Sequence, residues 1–211
     1  RFDTRDTVYY PGRYLGFLSL VPRAGVRGTY YSKTIETRSF DEVTASMDSN
    51  GVVSAVTNTV WTTEEQGGSM RGLMEWGMEA SFKAFRTWDT APSPLIDGLR
   101  HIVEPYVNYT YIPEPNLTPE DLYQFDDVDA IDRQNTLAFG VRNKLQTRRD
   151  RNPWDLIDLD LNALYNLDPE GDADNLESIN LWAEITPVDF IKLNADGSYD
   201  PEESQVETFN T

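Results

Sequence analysis

LRHIVEPYVNYTYIP, residues 99–113, alternates apolar and polar side chains along its length. Val103 and Val107 lie at odd positions, which are mostly apolar, whereas Glu104 and Asn108 lie at the polar positions between them. Successive side chains of a β-strand point to opposite faces of the sheet. The stretch therefore predicts a long strand with one apolar face and one polar face.

The same alternation returns in other segments, such as GLMEWGMEASFKAF at 72–85 and DLIDLDLNALYNLD at 155–168. Residues 40–61 could add a small hairpin around Asp48-Ser49-Asn50-Gly51, because Asn-Gly suits a turn with positive φ. The sequence thus predicts an all-β chain of about eight strands. The strand-like runs lie at 14–32, 70–86, 99–112, 135–149, 155–167, 177–186 and 189–199, and from 205 onward.

The length of these runs favours a membrane over water. About 9–11 tilted residues cross a bilayer, whereas strands of soluble proteins usually have about 5–6 residues. Long acidic connections, near 33–69 and 113–134, alternate with short ones at 151–153 and 186–189. Outer-membrane barrels have long extracellular loops and short periplasmic turns. We therefore expect part of a transmembrane antiparallel up-and-down β-barrel, with both long segments outside the cell.

Aromatic residues fall where the borders of a membrane would lie. Trp88 and Trp154 are expected near the short turns, and Tyr109, Tyr111 and Tyr165 near the opposite border. Such aromatic belts are typical of membrane barrels.

Bulk composition excludes several classes of function. The chain of 211 residues has 36 acidic and 18 basic residues, a formal charge of −18 that argues against binding of nucleic acid. It contains no run of about 18 apolar residues, so no membrane helix is predicted, although this test cannot detect barrels. The chain begins with Arg1, and its last strand-like run stops without a closing turn. Residues 1–211 are therefore expected to be an excerpt of one outer-membrane barrel domain.

The polar positions of the strands are expected to line a hydrated lumen. Arginine at Leu161 or Val141 should then be costly because these positions face lipid, and arginine at Asn162 or Gly140 should cost much less. The lumen-facing candidates are Glu75, Glu79, Lys83, Glu104, Asn108, Arg142, Lys144, Asp158, Asp160 and Asn162.

The same residues give little reason to expect catalysis. His101 is the only histidine, which excludes a histidine-based triad or a multi-histidine zinc site within the chain. Carboxylate pairs such as Glu75 with Glu79 could resemble a glycosidase acid and base, but they belong to the repeated polar positions. No enzyme activity, catalytic residue or cofactor is predicted.

Five aspartates crowd the segment 113–134 and could in principle hold calcium. Their spacing lacks the glycine and the terminal glutamate of an EF-hand, so a solvated acidic loop is expected. They are Asp121, Asp126, Asp127, Asp129 and Asp132.

The sequence motifs of the central stretch resemble those of the barrel domain of the lipopolysaccharide-assembly outer-membrane proteins, the LptD/OstA family. The resemblance is carried by LRHIVEP at 99–105, YTYIP at 109–113, FDDVDAIDRQN at 125–135 and GVRNKL at 140–145. In that family an H-x-x-EP-x-V-x-Y-x-Y-x-P strand precedes a loop ending near an Asp and an Asn, and then a G-[LV]-x-x-[RK] strand.

This resemblance implies a barrel of about 26 strands, whose chain crosses the outer membrane many times. It also implies lipopolysaccharide as cargo, contact with outer-membrane lipid, a plug lipoprotein, periplasmic bridge proteins and a lateral opening between the first and last strands. Periodicity alone leaves two alternatives open. They are a porin-like diffusion channel and, less favoured, a soluble all-β binding module.

Overall fold

The computed structural model describes residues 1–47, 53–90, 93, 96–169 and 174–211. These residues form antiparallel strands joined by turns and loops, with one short 3₁₀ helix. The strands are β1 (Phe2–Tyr9), β2 (Gly12–Tyr14), β3 (Leu18–Tyr31), β4 (Thr34–Met47), β5 (Val53–Gln66), β6 (Ser69–Phe82), β7 (Ala84–Trp88), β8 (Leu99–Ile112), β9 (Gln134–Arg149), β10 (Asn152–Asn166), β11 (Leu176–Val188), β12 (Ile191–Asp200) and β13 (Gln205–Asn210), and the 3₁₀ helix is Pro119–Asp121.

The strands follow one another across the sheet in the order β1-β3-β6-β8-β9-β10-β11-β12-β13. β2 pairs with β3, β7 pairs with β8, and β4 and β5 form a separate two-stranded sheet. From β8 to β13 each strand pairs antiparallel with the next along the chain. The expected all-β, up-and-down architecture of part of a barrel is confirmed. Within the described residues, no helix is long and apolar enough to cross a membrane.

The chain divides into two compact units. Unit 1 consists of Arg1–Asp6, Val26–Met74 and Pro113–Arg133. Unit 2 consists of Thr7–Gly25, Glu75–Ile112 and Gln134–Thr211.

The predicted strand at 99–112 is confirmed as β8, but the run at 70–86 is two strands. β6 pairs with β8 as far as Ser81 opposite Tyr106, and β7 resumes the pairing at Ala84 opposite Val103. Pro105 lies within this gap on β8. Because proline has no N–H to donate, the ladder is weakened there and the single strand that we predicted breaks at Lys83.

The N-terminal strands depart furthest from the prediction. β1 was not expected, because charged Asp3 and Arg5 occupy one of its faces and Asp6 interrupts the other. The run at 14–32 is also interrupted, since Leu15 and Gly16 have positive φ values of 51° and 77° and separate β2 from β3. A left-handed pair of residues turns the chain back on itself, which period-two counting does not register.

Two short turns lie at slightly different places from those predicted. Asp150 and Arg151, with φ values of 48° and 66°, form the turn that was placed at 151–153. Two successive residues in the left-handed region are the signature of the tight hairpin turn that matches strand twist. The turn placed at 186–189 is Asp189-Phe190, because β11 continues to Val188, which pairs with Ile191.

The segment 33–69 holds a longer hairpin than the predicted one at 40–61. β4 and β5 pair from Thr34 opposite Gln66 to Met47 opposite Val53. The proposed turn residues Asp48-Ser49-Asn50-Gly51 lie outside the described residues.

The segment 113–133 of unit 1 is held around two fully buried charged side chains. Arg71, on β6, is 0% exposed and donates to the backbone carbonyls of Val128, at 3.0 Å, and Ile131. Asp129, also 0% exposed, accepts hydrogen bonds from the Tyr31 hydroxyl at 2.8 Å and from Arg1 at 2.7 Å. Hydrogen bonds to backbone carbonyls and to the side chain of Asp129 therefore hold the loop in place.

Asp129 is stabilised in its charged form although it is buried. Burial opposes ionisation, but donors from Tyr31, the Phe125 backbone N–H and Arg1 together hold the pKa of Asp129 below its ordinary value. The pKa of the neighbouring Asp126 is lowered to about 2, first of all by its hydrogen bond with Arg1. Both carboxylates are thus engaged by protein donors and are not arranged as a cation site.

We expect Asp129→Asn to loosen the 113–133 loop, because it removes the charge that three donors converge on. The cost of leaving buried donors poorly satisfied should be about 1–3 kcal/mol, seen as faster amide exchange in this segment. Asp127→Asn is the matched control, since Asp127 is exposed. In the unsubstituted protein the loop should stay closed at neutral pH and loosen only as acid protonates Asp129, at a pH below the ordinary pKa of an aspartate, because the pKa of Asp129 is lowered in the folded state. Equal rates of amide exchange in the Asp129→Asn and Asp127→Asn variants would contradict the predicted loosening of the loop.

Candidate functional site: the two faces of unit 2

The apolar positions of unit 2 form continuous rows across neighbouring strands. Paired residues of an antiparallel sheet share a face, so the register fixes which side chains lie together. One such row runs through Pro105, Val141, Leu161, Leu181 and Gly197. Leu161, in the middle of it, is 48% exposed. This face consequently has no protein layer packed on it in the described structure.

Few apolar side chains are buried anywhere in the described residues. A soluble β-sandwich would bury one whole face of each sheet. Here the apolar face of unit 2 is exposed instead, which supports a membrane location over the soluble binding module. The buried apolar side chains are Tyr31, Leu73, Tyr106, Ile112 and Leu122.

Aromatic residues border this apolar face on both sides. At the end with the short turns, Trp88 pairs with Leu99, and Trp154 pairs with Thr147. At the other end Trp76 stacks on its cross-strand partner Tyr111, with ring centroids 6.0 Å apart. The residues at that end include Tyr109, Tyr111, Tyr165 and Tyr199.

The distance between the two aromatic borders matches a bilayer. Leu99 and Tyr109 are ten residues apart on β8. At about 3.3 Å per residue this segment is about 33 Å long. A strand tilt of about 40°, usual in membrane barrels, reduces its height to about 25 Å, which is the height of their apolar band.

The opposite, polar face is dominated by a network around Arg142. The guanidinium of Arg142, on β9, reaches across β8 to both carboxylate oxygens of Glu79, at 3.0 and 3.2 Å. It also lies 3.9 Å from Glu104 and 3.6 Å from Asp160, its partners on the adjacent strands. A single cation therefore bridges carboxylates from three other strands.

Tyr106 and Gly140 form the floor of this network. Tyr106 donates its hydroxyl to Asp160 at 2.9 Å, and the Arg142 guanidinium lies 3.9 Å above the centre of its ring. A Cβ atom at Gly140 would lie 2.9 Å from the Tyr106 ring and 2.7 Å from Asn162. Glycine is needed here because the ring occupies the space of a side chain. Our expectation that Gly140 would tolerate arginine cheaply is therefore wrong.

The other candidates of the polar face pair in the same manner. Lys144 contacts Asp158 at 2.8 Å and Asp155 at 3.0 Å. Lys83 lies 3.3 Å from Glu104. Asn162 accepts a hydrogen bond from Asn180 at 3.3 Å.

Arg23, on β3, joins the two remaining candidates. Its Nε donates to Glu75 at 2.9 Å and its Nη1 donates to Asn108 at 2.7 Å. Sequence reasoning missed Arg23, although a basic residue inside the run LSLVPRAG was a usable signal. Also missed were Tyr106, whose partner Gly140 gives no sign of a close approach in sequence, and Asp155, which joins Lys144 only because of a bulge between Asp155 and Ile157.

Nothing in the described residues suggests a metal site. No group of three or more histidine, cysteine, aspartate or glutamate side chains there is arranged to hold a metal ion. His101 pairs with Asn143, with 3.3 Å between Nε2 and Oδ1. The calcium alternative for the acidic loop gains no support.

An antiparallel up-and-down sheet with an exposed apolar face of membrane height and an ion-paired polar face is the wall of an outer-membrane-type barrel. The family model described as "LptD protein" matches residues 7–201, and the chain belongs to that family. No curated protein matches the chain significantly. The LptD family is an outer-membrane family of lipopolysaccharide transport and assembly, so the chain is involved in that process.

We expect Arg142→Gln to destabilise the sheet, because it leaves Glu79, Glu104 and Asp160 close together without their shared cation. The network is partly exposed, so the cost should be about 1–2 kcal/mol, between the values for surface and buried ion pairs. Urea unfolding of the full-length protein in detergent would measure it.

A double-mutant cycle tests the origin of that cost. Glu79→Gln alone should be mildly destabilising, and combined with Arg142→Gln it should cost less than the sum of the two. Strict additivity would mean that the Arg142–Glu79 pair contributes nothing.

Leu161→Arg should destabilise the membrane-inserted protein by about 2–4 kcal/mol, because Leu161 lies mid-way along the exposed apolar face. Asn162→Arg, one residue away on the polar face, should cost much less. Unfolding in lipid vesicles would compare the two, and similar costs would show that the faces are assigned wrongly.

Proposed function

We propose that the chain is part of the wall of a multi-pass outer-membrane barrel that translocates lipopolysaccharide to the cell surface. The observation that carries this proposal is the pairing of an exposed apolar face about 25 Å high with a polar face on which Arg23, Lys83, Arg142 and Lys144 are each paired with a carboxylate. Membership of the LptD family supplies the cargo. No catalytic step is needed, and none is proposed.

The two faces suit the two parts of an amphiphile. Lipopolysaccharide has sugars that need water and acyl chains that need an apolar environment, and backbone polar groups in lipid must pair internally. We place the ten candidates from Glu75 to Asn162 on the lumenal side, where they would line a hydrated path for the sugars. The acyl chains would leave by a lateral opening in the complete barrel.

Internal pairing on the polar face also suits transport. Arg23, Arg142 and Lys144 each contact at least one carboxylate within 3.0 Å, and Lys83 contacts Glu104 at 3.3 Å. A wall of unpaired cations would bind the phosphates of an anionic cargo strongly, because guanidinium–phosphate pairs are among the stronger hydrogen bonds. A wall whose cations are already paired with carboxylates lets such a cargo pass without being held.

The loops and partners complete the proposal. Segments 33–69 and 113–134 would be extracellular, and 1–211 would be one portion of a single barrel domain. A plug lipoprotein inside the barrel and periplasmic bridge proteins would deliver the cargo, as the family membership suggests.

Depletion of the full-length protein should lower the amount of lipopolysaccharide at the cell surface, because the last step of its export would be lost. Surface-accessible lipopolysaccharide can be measured on intact cells. Re-expression of the wild-type protein is the control and should restore the level. Unchanged surface lipopolysaccharide after depletion would refute the proposal.

Conductance separates this function from the porin-like alternative. In planar bilayers a plugged assembly barrel should pass little current, whereas a diffusion channel conducts freely. Free conductance by the protein with its plug lipoprotein bound would favour the channel. Partition of the full-length protein into water without detergent would contradict both membrane functions.

A further inference from the structure

An arginine lies on the apolar face of unit 2, one row inside the aromatic border at the short turns. Arg86, on β7, pairs with His101 of β8, between the pairs Trp88–Leu99 and Ala84–Val103. Because paired residues share a face, Arg86 projects on the same side as these apolar neighbours. Cations are rare on this face, and the other one, Arg149, lies in the outermost row of β9, where it pairs with Asn152.

Arg86 has no acidic partner within the described part of the chain. Its guanidinium lies 5.4 Å from the centre of the Trp88 ring, and the side chain is exposed. Its neighbour His101 interacts with Asn143, so neither of these polar side chains supplies a negative charge.

Arg149 provides a contrast at the same end of unit 2. It stacks on Trp154 with 4.5 Å between the guanidinium carbon and the ring centre, and it also contacts Asp189 at 3.3 Å. Its side chain is only 17% exposed. Arg149 therefore braces a turn, whereas Arg86 repeats the same arginine–tryptophan stack without a carboxylate.

Physical chemistry identifies what Arg86 can bind. A guanidinium on a lipid-facing surface must find a counter-ion or reach the interface, and its long side chain can extend to the headgroup level. Headgroup phosphates are the anions at that level, and the planar guanidinium can pair with a phosphate bidentately. Trp88 holds the guanidinium by a cation–π contact and leaves its edge free.

We propose that Arg86 and Trp88 form a binding site for the phosphate of an anionic phospholipid in the leaflet at the short turns. This proposal rests on the proposed function, in that the apolar face of unit 2 must lie in lipid. It adds a specific lipid contact that the translocation pathway does not require.

Photocrosslinking tests the site in the full-length protein, reconstituted in lipid nanodiscs. Phosphatidylglycerol with a photoreactive group near the phosphate should label β7 and the first half of β8. Unlabelled phosphatidylglycerol should compete better than phosphatidylcholine. In Arg86→Gln the labelling should fall about fivefold, which corresponds to about 1 kcal/mol for one basic residue near an anionic surface.

Arg148→Gln is the matched control, because Arg148 lies at the same end but at a polar-face position, where it contacts Asp97. Labelling should be unchanged in this variant and largely kept in Arg86→Lys. Absent labelling of β7 and β8 in the wild type, equal competition by phosphatidylcholine, or equal losses in both glutamine variants would overturn the site. If Arg86→Gln does not fold, two measurements still test the site. They are the competition by phosphatidylglycerol and phosphatidylcholine in the wild-type protein and the labelling of Arg86→Lys.

A second probe separates this failure from failure of the proposed function. Phospholipid with a photoreactive acyl chain should label the row around Leu161 in every folded variant. If that row is labelled but Arg86 has no effect, only the phosphate site fails. If the row is not labelled, the apolar face is not in lipid and the proposed function fails with it.

Discussion

Strand register is the constraint on which both faces of unit 2 depend. Because side chains alternate with a period of two, a slip of one residue would move every apolar side chain to the polar face. Arg142 resists such a slip, since Glu104 and Asp160 lie opposite it on both neighbouring strands. The contact of Tyr106 with Gly140 adds a steric constraint, because every other residue of β9 would present a Cβ atom to the ring. The ion pairs around Arg142 are therefore expected to favour this register as well as to stabilise the sheet.

The regular strands could be predicted from sequence because a single rule governs them. β8 was predicted at its observed bounds, and the ten polar-face candidates lie in separate groups of polar contacts around Arg23, Arg142, Lys144 and Asn162. Period-two counting failed where non-periodic chemistry intervenes, as at Pro105 and at the left-handed pair Leu15-Gly16. It also missed Arg23: this basic residue stands out within its apolar run, but its partner Glu75 lies three strands away along the chain and cannot be identified from the local sequence. The proposal of lipopolysaccharide as cargo depends on the resemblance and the family match, because periodicity alone predicts no more than a membrane barrel.

The two arginine–tryptophan stacks show how the same local geometry takes different roles from its surroundings. Arg149 has Asp189 within reach, so its charge is neutralised by the protein. Arg86 has no carboxylate within reach among the described residues, and its charge remains available to the surrounding medium. The two arginines therefore differ in their exposure and in their nearest counter-charge, and not in residue type. These two properties give Arg149 a structural role and make Arg86 available for recognition of a lipid.

The buried carboxylate of Asp129 has a consequence for the order in which the protein folds. Two of its donors, Arg1 and Tyr31, are 128 and 98 residues away along the chain. Contacts of such long sequence separation form late, because the chain must first lose the entropy of closing long loops. We therefore expect the 113–133 segment to close only after Arg1 and β3, which carries Tyr31, are in place. Closure of this segment would report that unit 1 has formed.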